Sequence, residues 1–166
     1  MKLLVMSDTH GDAEVIKRVK GYHKDAVKMI HCGDSELSYD HPAMQNLERV
    51  KGNCDHDRNY LEEIIFKMGD ERVYVTHGHL YDVKQSPMKL IYRAKELGAT
   101  IVCFGHSHVL GAEYIDDIFF VNPGSLKKPR RIKEKSFVTI TITKTHFTLD
   151  CYDENNDLIE QMFIER

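Results

Sequence analysis

Seven side chains of the kinds that bind metal ions follow five short apolar runs in this 166-residue sequence. They are Asp8, His10, Asp34, Asn53, His77, His106 and His108. Two carboxylates, four imidazoles and one amide oxygen suit Mn, Fe or Zn, and they differ from the thiolates of a structural zinc site. Neutral His and Asn ligands leave such a site with net positive charge, so bound ions remain strong Lewis acids.

The apolar runs before these side chains predict the strands that must position them. The run LLVMS leads into Asp8, RVYVT leads into His77, and TIVCFG leads into His106. In α/β sheets, side chains just beyond the carboxyl ends of strands converge on one crevice. We therefore expect the five segments to supply one shared site.

The hydrophobic pattern predicts helices early in the chain and strands late. Amphipathic spacing favours a helix over Asp12–His23 and a short one over Pro42–Glu48, and Ser86-Pro87 begins a helix that ends at Leu97-Gly98. The predicted strands are Lys2–Met6, Val27–His31, a hairpin of Glu63–Met68 and Arg72–Thr76, Thr100–Phe104, Ile118–Val121, Ser136–Thr143, His146–Cys151 and Leu158–Ile164. This order predicts a mixed α/β fold with antiparallel additions.

Composition predicts one soluble domain over residues 1–166. Hydrophobic residues are 42% and charged residues 30%, and no apolar run approaches the ~20 residues of a membrane helix. The four cysteines form no CxxC pair, so we expect reduced thiols in a cytoplasmic protein and no membrane partner. A net charge of -3 disfavours a general nucleic-acid binder without excluding a nucleic-acid substrate.

The order of the ligand-type motifs resembles one known family. Asp8-x-His10, Gly33-Asp34, Gly52-Asn53, His77 and Gly105-His106-x-His108 occur in the order typical of the calcineurin-like metallophosphoesterases. The match extends to Asn122-Pro123-Gly124-Ser125, and the small size is similar to the YfcE-like phosphodiesterase subgroup. The resemblance implies a fold of two mixed β-sheets packed as a sandwich and flanked by helices.

The resemblance also implies a role for each ligand. Two divalent ions would be bound, the first by Asp8, His10 and His108 and the second by Asn53, His77 and His106, with Asp34 bridging both. Mn is the metal expected of such a relative, with Ni, Co, Fe or Zn as alternatives. The implied reaction is hydrolysis of a phosphodiester, in which a metal-bridging hydroxide attacks phosphorus. We expect the glycines beside Asp34, Asn53 and His106 to permit tight turns under the metals.

The proton donor is less clearly indicated, because the sequence departs from the family pattern there. Cys54 follows Gly52-Asn53, where many relatives have a histidine. His79 is the first candidate to protonate the leaving group or contact phosphate, and Asp55 is the second. His79 could equally orient a ligand from behind, and Cys54 is more simply a small buried thiol than a nucleophile.

Two further elements could support the site. Asn122 is expected to contribute hydrogen bonds rather than metal ligation, although a plain turn explains the motif almost as well. Lys128, Arg130 and Arg131 follow it and could bind a distal phosphate of the substrate. A solvated hairpin is the alternative interpretation of these three cations.

Other functions stay open on the sequence. The same metals could serve a phosphomonoesterase or a nucleotide pyrophosphohydrolase, because specificity lies in loops and pocket walls. A non-catalytic scaffold like one retromer subunit is disfavoured, since all seven ligand positions are filled. The expected partner is a small phosphodiester or nucleotide-type substrate, and an oligomer is not excluded.

Overall fold

The strand-forming runs of the sequence assemble into two β-sheets. The computed structural model describes residues 1–166. In chain order the strands are β1 (Lys2–Met6), β2 (Lys28–His31), β3 (Glu48–Arg49), β4 (Glu63–Met68), β5 (Glu71–Thr76), β6 (Ile101–Cys103), β7 (Leu110–Ile115), β8 (Ile118–Pro123), β9 (Ser136–Ile142), β10 (His146–Asp153) and β11 (Leu158–Glu165). The helices are α1 (Ala13–Tyr22) and α2 (Met88–Glu96), with 3-10 turns at Pro42–Met44 and His79–Tyr81.

Both sheets are mixed. The six-stranded sheet has the order β11-β10-β9-β1-β2-β3, and the five-stranded sheet has the order β4-β5-β6-β8-β7. Parallel pairing joins β1 to β2 and β2 to β3 in one sheet, and β5 to β6 and β6 to β8 in the other. The remaining pairs are antiparallel. The predicted sandwich of two mixed sheets is confirmed.

Successive side chains along each strand point to opposite faces of the sheet, and this divides the apolar core into three layers. Leu3 and Val5 of β1 face the main core between the sheets, where Val75 and Phe119 of the second sheet meet them. Leu4 lies on the opposite face of β1, in the layer under α1. A strand buried on both faces reads as a continuous apolar run, which explains LLVM.

The two α-helices cover the outer faces of the sandwich. The Asp12 side chain accepts a hydrogen bond from Val15 N at 3.0 Å and caps α1. On the other side, Leu90 of α2 packs with Tyr74 and Val102 of the second sheet. Neither helix has the length and apolar composition needed to cross a lipid bilayer.

One predicted helix is wrong, and one strand was not predicted. The helix predicted over Pro42–Glu48 is only a 3-10 turn of three residues. It ends at Met44 because the next residue, Gln45, has an extended backbone with φ of -66° and ψ of 145°. Strand β7 was not predicted, and it pairs antiparallel with β8 directly after the last ligand-type histidine.

Candidate metal centre

The seven ligand-type side chains lie in loops that follow parallel strands. Asp8 follows β1 and Asp34 follows β2, both in the six-stranded sheet. His77 follows β5, and His106 and His108 follow β6, in the five-stranded sheet. Loops at the carboxyl ends of parallel strands meet at one edge of a sheet, so the sandwich brings both sets of loops to the same place.

One group of side chains collects around Asp8. Its Oδ1 lies 3.0 Å from His108 Nε2 and 4.0 Å from His10 Nε2. The two imidazole nitrogens lie 3.5 Å from each other. One ligand atom from each residue therefore falls within the span of a single metal ion's coordination shell, as the sequence predicts for the first ion.

A second group collects around His77. Its Nε2 lies 3.3 Å from Asp34 Oδ2 and 3.2 Å from Asn53 Oδ1. The His106 ring packs against it, with centroids 5.1 Å apart. Asp8 Oδ1 is only 3.9 Å from His77 Nε2, so the two groups are contiguous. Side chains of both groups approach Asp8. The bridging role expected of Asp34 stays a prediction.

The Asp8 side chain tests whether these residues fit a metal. It is completely buried, and Ser7 Oγ donates to its Oδ2 at 2.5 Å. Its Oδ1 accepts no hydrogen bond while His108 is neutral, because the proton of that imidazole then lies on Nδ1 and the nearby Nε2 presents a lone pair. Leaving a buried carboxylate oxygen unsatisfied is costly, and a cation at this point would remove the cost. The two groups that share Asp8, one with His10 and His108 and the other with Asp34 and His77, therefore fit divalent ions.

Three histidines are oriented for ligation by hydrogen bonds on their outer nitrogens. The Nδ1–H of His77 donates to the Cys32 carbonyl at 2.7 Å. His108 donates in the same way to the Lys128 carbonyl at 2.7 Å, and His10 donates to Glu36 Oε1 at 2.9 Å. These bonds fix the tautomer and turn the Nε2 lone pair toward the centre, which is how proteins hold metal-binding imidazoles.

The backbone at the site is strained. Five ligand-type residues have positive φ angles in the left-handed region, at Asp8 (54°), His10 (42°), Asp34 (55°), His106 (67°) and His108 (59°). Such conformations cost on the order of 1 kcal/mol or more each for non-glycine residues, and they concentrate at functional sites. No pattern in the sequence predicted these left-handed backbone conformations.

The three motif glycines serve two different purposes. Gly33 has φ of 96°, so it makes the predicted turn. Gly52 also allows close approach, because a Cβ there would lie 2.0 Å from Asp34 Oδ1. At Gly105 a Cβ would lie 2.6 Å from Asp8 Oδ2. Tight turns begin at both of these glycines, since Asp55 N donates to the Gly52 carbonyl at 3.2 Å and Ser107 N donates to the Gly105 carbonyl at 2.8 Å.

Asp55 ties two of the ligand loops together. Its carboxylate accepts hydrogen bonds from Asp34 N at 2.8 Å and Gly52 N at 2.7 Å. It also accepts from Glu36 N at 2.7 Å and Ser35 Oγ at 3.2 Å. Both carboxylate oxygens are occupied as hydrogen-bond acceptors within the loops, which disfavours the proton-donor hypothesis for Asp55. The contacts indicate a positioning role.

His31 is a further positioning residue that the sequence left undecided. Gly33 N donates to its Nδ1 at 3.2 Å, so its Nε2 carries the proton and donates to Thr9 Oγ1 at 3.0 Å. Complete burial is the main factor that lowers the pKa of His31 to about 4, so the ring is neutral. It thereby connects the loop of Asp8 to the loop of Asp34.

The charge state of the site suits cation binding. Burial opposes ionisation of Asp34, but His77 and the Cys54 N–H outweigh it and hold the pKa of that carboxyl well below its ordinary value. Burial also raises the pKa of Asp8, and contacts with His108 and His77 overcome that effect. Burial and the nearby His77 lower the pKa of His106 to about 4. Ionised carboxylates and a neutral His106 are forms that bind metals. Against the effect of burial, contact with Asp34 raises the pKa of His77, and contact with Asp8 raises the pKa of His108, so a cation would displace a proton from each of these two imidazoles.

Comparison with known proteins decides the family. The chain matches the calcineurin-like phosphoesterase superfamily domain over residues 1–145. The chain belongs to this superfamily. It is 40% identical over 163 residues to the probable metallophosphoesterase YsnB of Bacillus subtilis (strain 168). The aligned residues cover 98% of this chain and 96% of YsnB. This calcineurin-like phosphoesterase is therefore an enzyme of a family whose members use divalent metal ions.

Two further comparisons extend the result. A predicted phosphoesterase from Streptococcus pneumoniae TIGR4 superposes with a TM-score of 0.96 at 33% identity, over 99% of this chain and 97% of that one. The phosphodiesterase YfcE of Escherichia coli (strain K12) is 26% identical over 159 residues, which covers 78% of this chain and 82% of YfcE. The expected resemblance to the superfamily and to its YfcE-like members is confirmed.

His79 lies at the rim of the second group of this phosphoesterase. Its ring packs 5.4 Å from His77 and 6.1 Å from His106, centroid to centroid. Its Nδ1 is buried without a hydrogen-bond partner, and its Nε2 lies 3.8 Å from Glu62 Oε2. The ring lies beside the centre but its Nδ1 is closed to solvent, and the roles suggested for His79 stay predictions.

Cys54 lies where many relatives have a histidine, and it behaves as an inert thiol. Burial and the neighbouring Asp34 raise the pKa of Cys54 to about 11. A thiol is nucleophilic only as the thiolate, so this side chain has no activated sulfur at neutral pH. The backbone N–H of the same residue is used instead, because it donates to Asp34 Oδ1 at 2.8 Å.

Asn122 and the basic segment after it support the His106–His108 loop. The Asn122 side-chain amide donates to the Gly105 carbonyl at 3.0 Å and to Ser107 Oγ at 2.9 Å, in line with the expected hydrogen-bonding role. Lys128 contributes its carbonyl to His108, while its own side chain is exposed. Arg130 and Arg131 line a groove that begins at Ser107.

Proposed function

We propose that this calcineurin-like phosphoesterase is a phosphodiesterase that works with two divalent ions, preferably Mn. The single observation that carries the proposal is the buried, unpartnered Oδ1 of Asp8, placed among imidazole nitrogens that point inward. A protein fold tolerates such an atom where a cation completes its contacts. Bound there, two divalent ions would activate water and neutralise the oxygens of the phosphate.

The chain's own residues divide the remaining work. In the proposal, Asp8, His10 and His108 hold one ion, and Asn53, His77 and His106 hold the other, with Asp34 shared between them. The outer hydrogen bonds of the histidines keep each Nε2 aimed inward. Asp55 and Asn122 keep the ligand loops in register through backbone contacts. His79 would donate a hydrogen bond to an oxygen of the phosphate or of the leaving group.

A diester is preferred as substrate because of the relatives. YfcE, which covers most of this chain, is named a phosphodiesterase. The metal centre alone would serve a monoester equally well, because both carry the same reacting phosphate group. The rates of diester and monoester hydrolysis must therefore be compared to test the proposal.

The experiment starts from protein stripped with a chelator. Hydrolysis of bis(p-nitrophenyl) phosphate is measured with and without added Mn, and p-nitrophenyl phosphate supplies the monoester comparison. We expect turnover that requires metal, favours the diester, and falls by about three orders of magnitude or more in Asp34→Ala. Asp40→Ala, an exposed aspartate without side-chain partners, is the matched control. Full activity of Asp34→Ala, or a preference for the monoester, would refute the proposal.

A further inference from the structure

A groove lies beside the loop that carries His106 and His108, and none of the seven ligand-type side chains lines it. The groove has a volume of about 680 Å³ and runs between the start of α2 and the β7–β8 hairpin. Ser107 and Asn122 line it, so its inner end adjoins the loop that carries His106 and His108. A volume of this size suits a small organic molecule.

One wall of the groove is apolar. Leu90 of α2 lines it together with Phe104 and Phe120, which come from the segments that follow β6 and form β8. Phe104 is half-buried, so its ring is partly accessible, whereas Leu90 is 0% and Phe120 is 5% exposed. An accessible aromatic ring beside a phosphate-binding centre favours a flat, weakly polar group, such as a nucleobase, over a hydrated sugar chain.

The groove also carries three cations, Lys84, Arg130 and Arg131. None of their side chains makes an ion pair or hydrogen bond within the chain, whereas Arg93 is paired with Glu63 and Glu96. Glu113 is the one carboxylate on the lining, and it is exposed. Because the chain as a whole has a net charge of -3, this local excess of positive charge is a feature of the groove.

The backbone that carries the two exposed arginines is fixed relative to the metal centre. Arg130 N donates to the His108 carbonyl at 3.0 Å, and the His108 ring donates to the Lys128 carbonyl at 2.7 Å. Ser125 Oγ accepts from Lys128 N at 2.9 Å, and Arg131 has the left-handed φ of 68°. The segment is therefore tied on both sides to a proposed ligand, unlike a freely solvated hairpin.

We infer that this groove binds the far end of a nucleotide-type phosphodiester that carries a second phosphate. This inference rests on the proposed function, because the scissile phosphate would lie at the metal centre. The base would then pack on the Phe104 ring, and the second phosphate would pair with Arg130 and Arg131. Guanidinium groups bind phosphate through paired hydrogen bonds, which is stronger and more specific than a diffuse charge.

The test uses two chromogenic diesters with the same leaving group. They are the p-nitrophenyl ester of thymidine 5′-phosphate and the same ester with an added 3′-phosphate. We expect kcat/KM to be about tenfold higher for the ester with the second phosphate. In Arg130→Gln and Arg131→Gln the ratio of the two kcat/KM values should fall towards 1. Lys133→Gln, an exposed cation of the same segment outside the groove, should keep the wild-type ratio.

A binding measurement separates this inference from the proposed reaction. Thymidine 3′,5′-bisphosphate is titrated calorimetrically into metal-free protein, and affinity should fall roughly tenfold in Arg130→Gln but not in Lys133→Gln. Equal kcat/KM for the two esters in the wild type, or equal affinities in all variants, would overturn the groove assignment. If bis(p-nitrophenyl) phosphate is hydrolysed and the thymidine esters are not, the substrate class is wrong while the proposed function stands.

Discussion

Two carboxylate clusters in this phosphoesterase, one around the half-buried Glu63 and one around the fully buried Asp8, differ in how completely the chain satisfies them. Glu63, on β4, accepts hydrogen bonds from Tyr74 Oη at 2.7 Å and Tyr81 Oη at 2.6 Å, and it pairs with Arg93. Asp8, at the metal centre, keeps one buried oxygen with no partner. The first cluster is complete without any added group, whereas the second needs a cation.

The comparison shows which observation identifies a metal centre. Both carboxyls have lowered pKa values, since Arg93 and two tyrosine hydroxyls overcome the effect of burial and lower the pKa of Glu63 to about 2. A shifted pKa therefore does not separate the two clusters. The backbone does, because Glu63 lies in regular pairing with Thr76 while Asp8 has a left-handed φ of 54°. An unsatisfied atom on a strained backbone is the sign of function.

The largest expected effect on activity comes from removing the charge of Asp8, the carboxylate that lacks a partner. Asp8→Asn keeps the shape of the side chain but weakens its bond to a cation. We expect phosphodiester hydrolysis to fall by about three orders of magnitude. Metal at 100 times its Kd should stabilise the wild type by about 2.7 kcal/mol, and this stabilisation should be largely lost in the variant.

Activity assays and thermal unfolding with and without Mn measure both quantities. Asp40→Asn is the control, because that side chain is exposed and has no partner. An Asp8→Asn protein that retains the metal-induced rise in Tm would show that Asp8 is not a ligand.

A smaller effect is expected one step away from the centre. Glu36 accepts from His10 Nδ1 at 2.9 Å and so orients that imidazole. Glu36→Gln should weaken metal affinity by about 10- to 100-fold, as is typical when a partner of a ligating histidine is changed. Calorimetric titration with Mn measures the change, and the exposed, unpaired Glu134→Gln provides the baseline. Unchanged affinity in Glu36→Gln would mean that His10 does not need this contact or does not bind metal.

The smallest effect concerns the complete cluster, and it should appear in stability alone. The pKa of Glu63 is lowered in the folded state, so its contribution is fully present above its ordinary value of 4.5 and is lost as pH falls through about 2. Glu63→Gln should therefore destabilise the fold by roughly 1–2 kcal/mol at pH 7 and by much less near pH 2.

Urea unfolding of Glu63→Gln at several pH values measures this difference. The metal-induced rise in Tm should be the same as in the wild type, because Glu63 has no contact with the metal centre. A loss of metal stabilisation in this variant would remove the distinction between the two clusters.

Much of this arrangement was predictable from the residues. The apolar run before Asp8 and the run before His77 predicted strands, and the carboxyl ends of those strands do meet at one site. The turn at Gly33 was also expected. These features depend on local patterns of hydrophobicity and turn chemistry, which the sequence displays directly.

Other features depend on contacts between distant segments. The hydrogen bonds of Asp55 to Asp34 and Gly52 join residues up to 21 positions apart, and no local pattern marks them. Lys84 reaches the groove from another loop than Arg130 does, so no local pattern in the sequence marks a shared cluster. Strand β7 was missed because LGAEYI has no clear alternation, and its pairing with β8 stabilises it.

The most direct measurement is the number of metal ions that the protein binds. Chelator-stripped wild type is titrated with Mn by calorimetry, and the same titration is made on Asp34→Ala. Two divalent ions held by Asp8, His10, Asp34, Asn53, His77, His106 and His108 predict two equivalents per chain in the wild type and no more than one in the variant. Binding of a single equivalent by the wild type, or an unchanged isotherm in Asp34→Ala, would contradict a two-ion centre that shares Asp34.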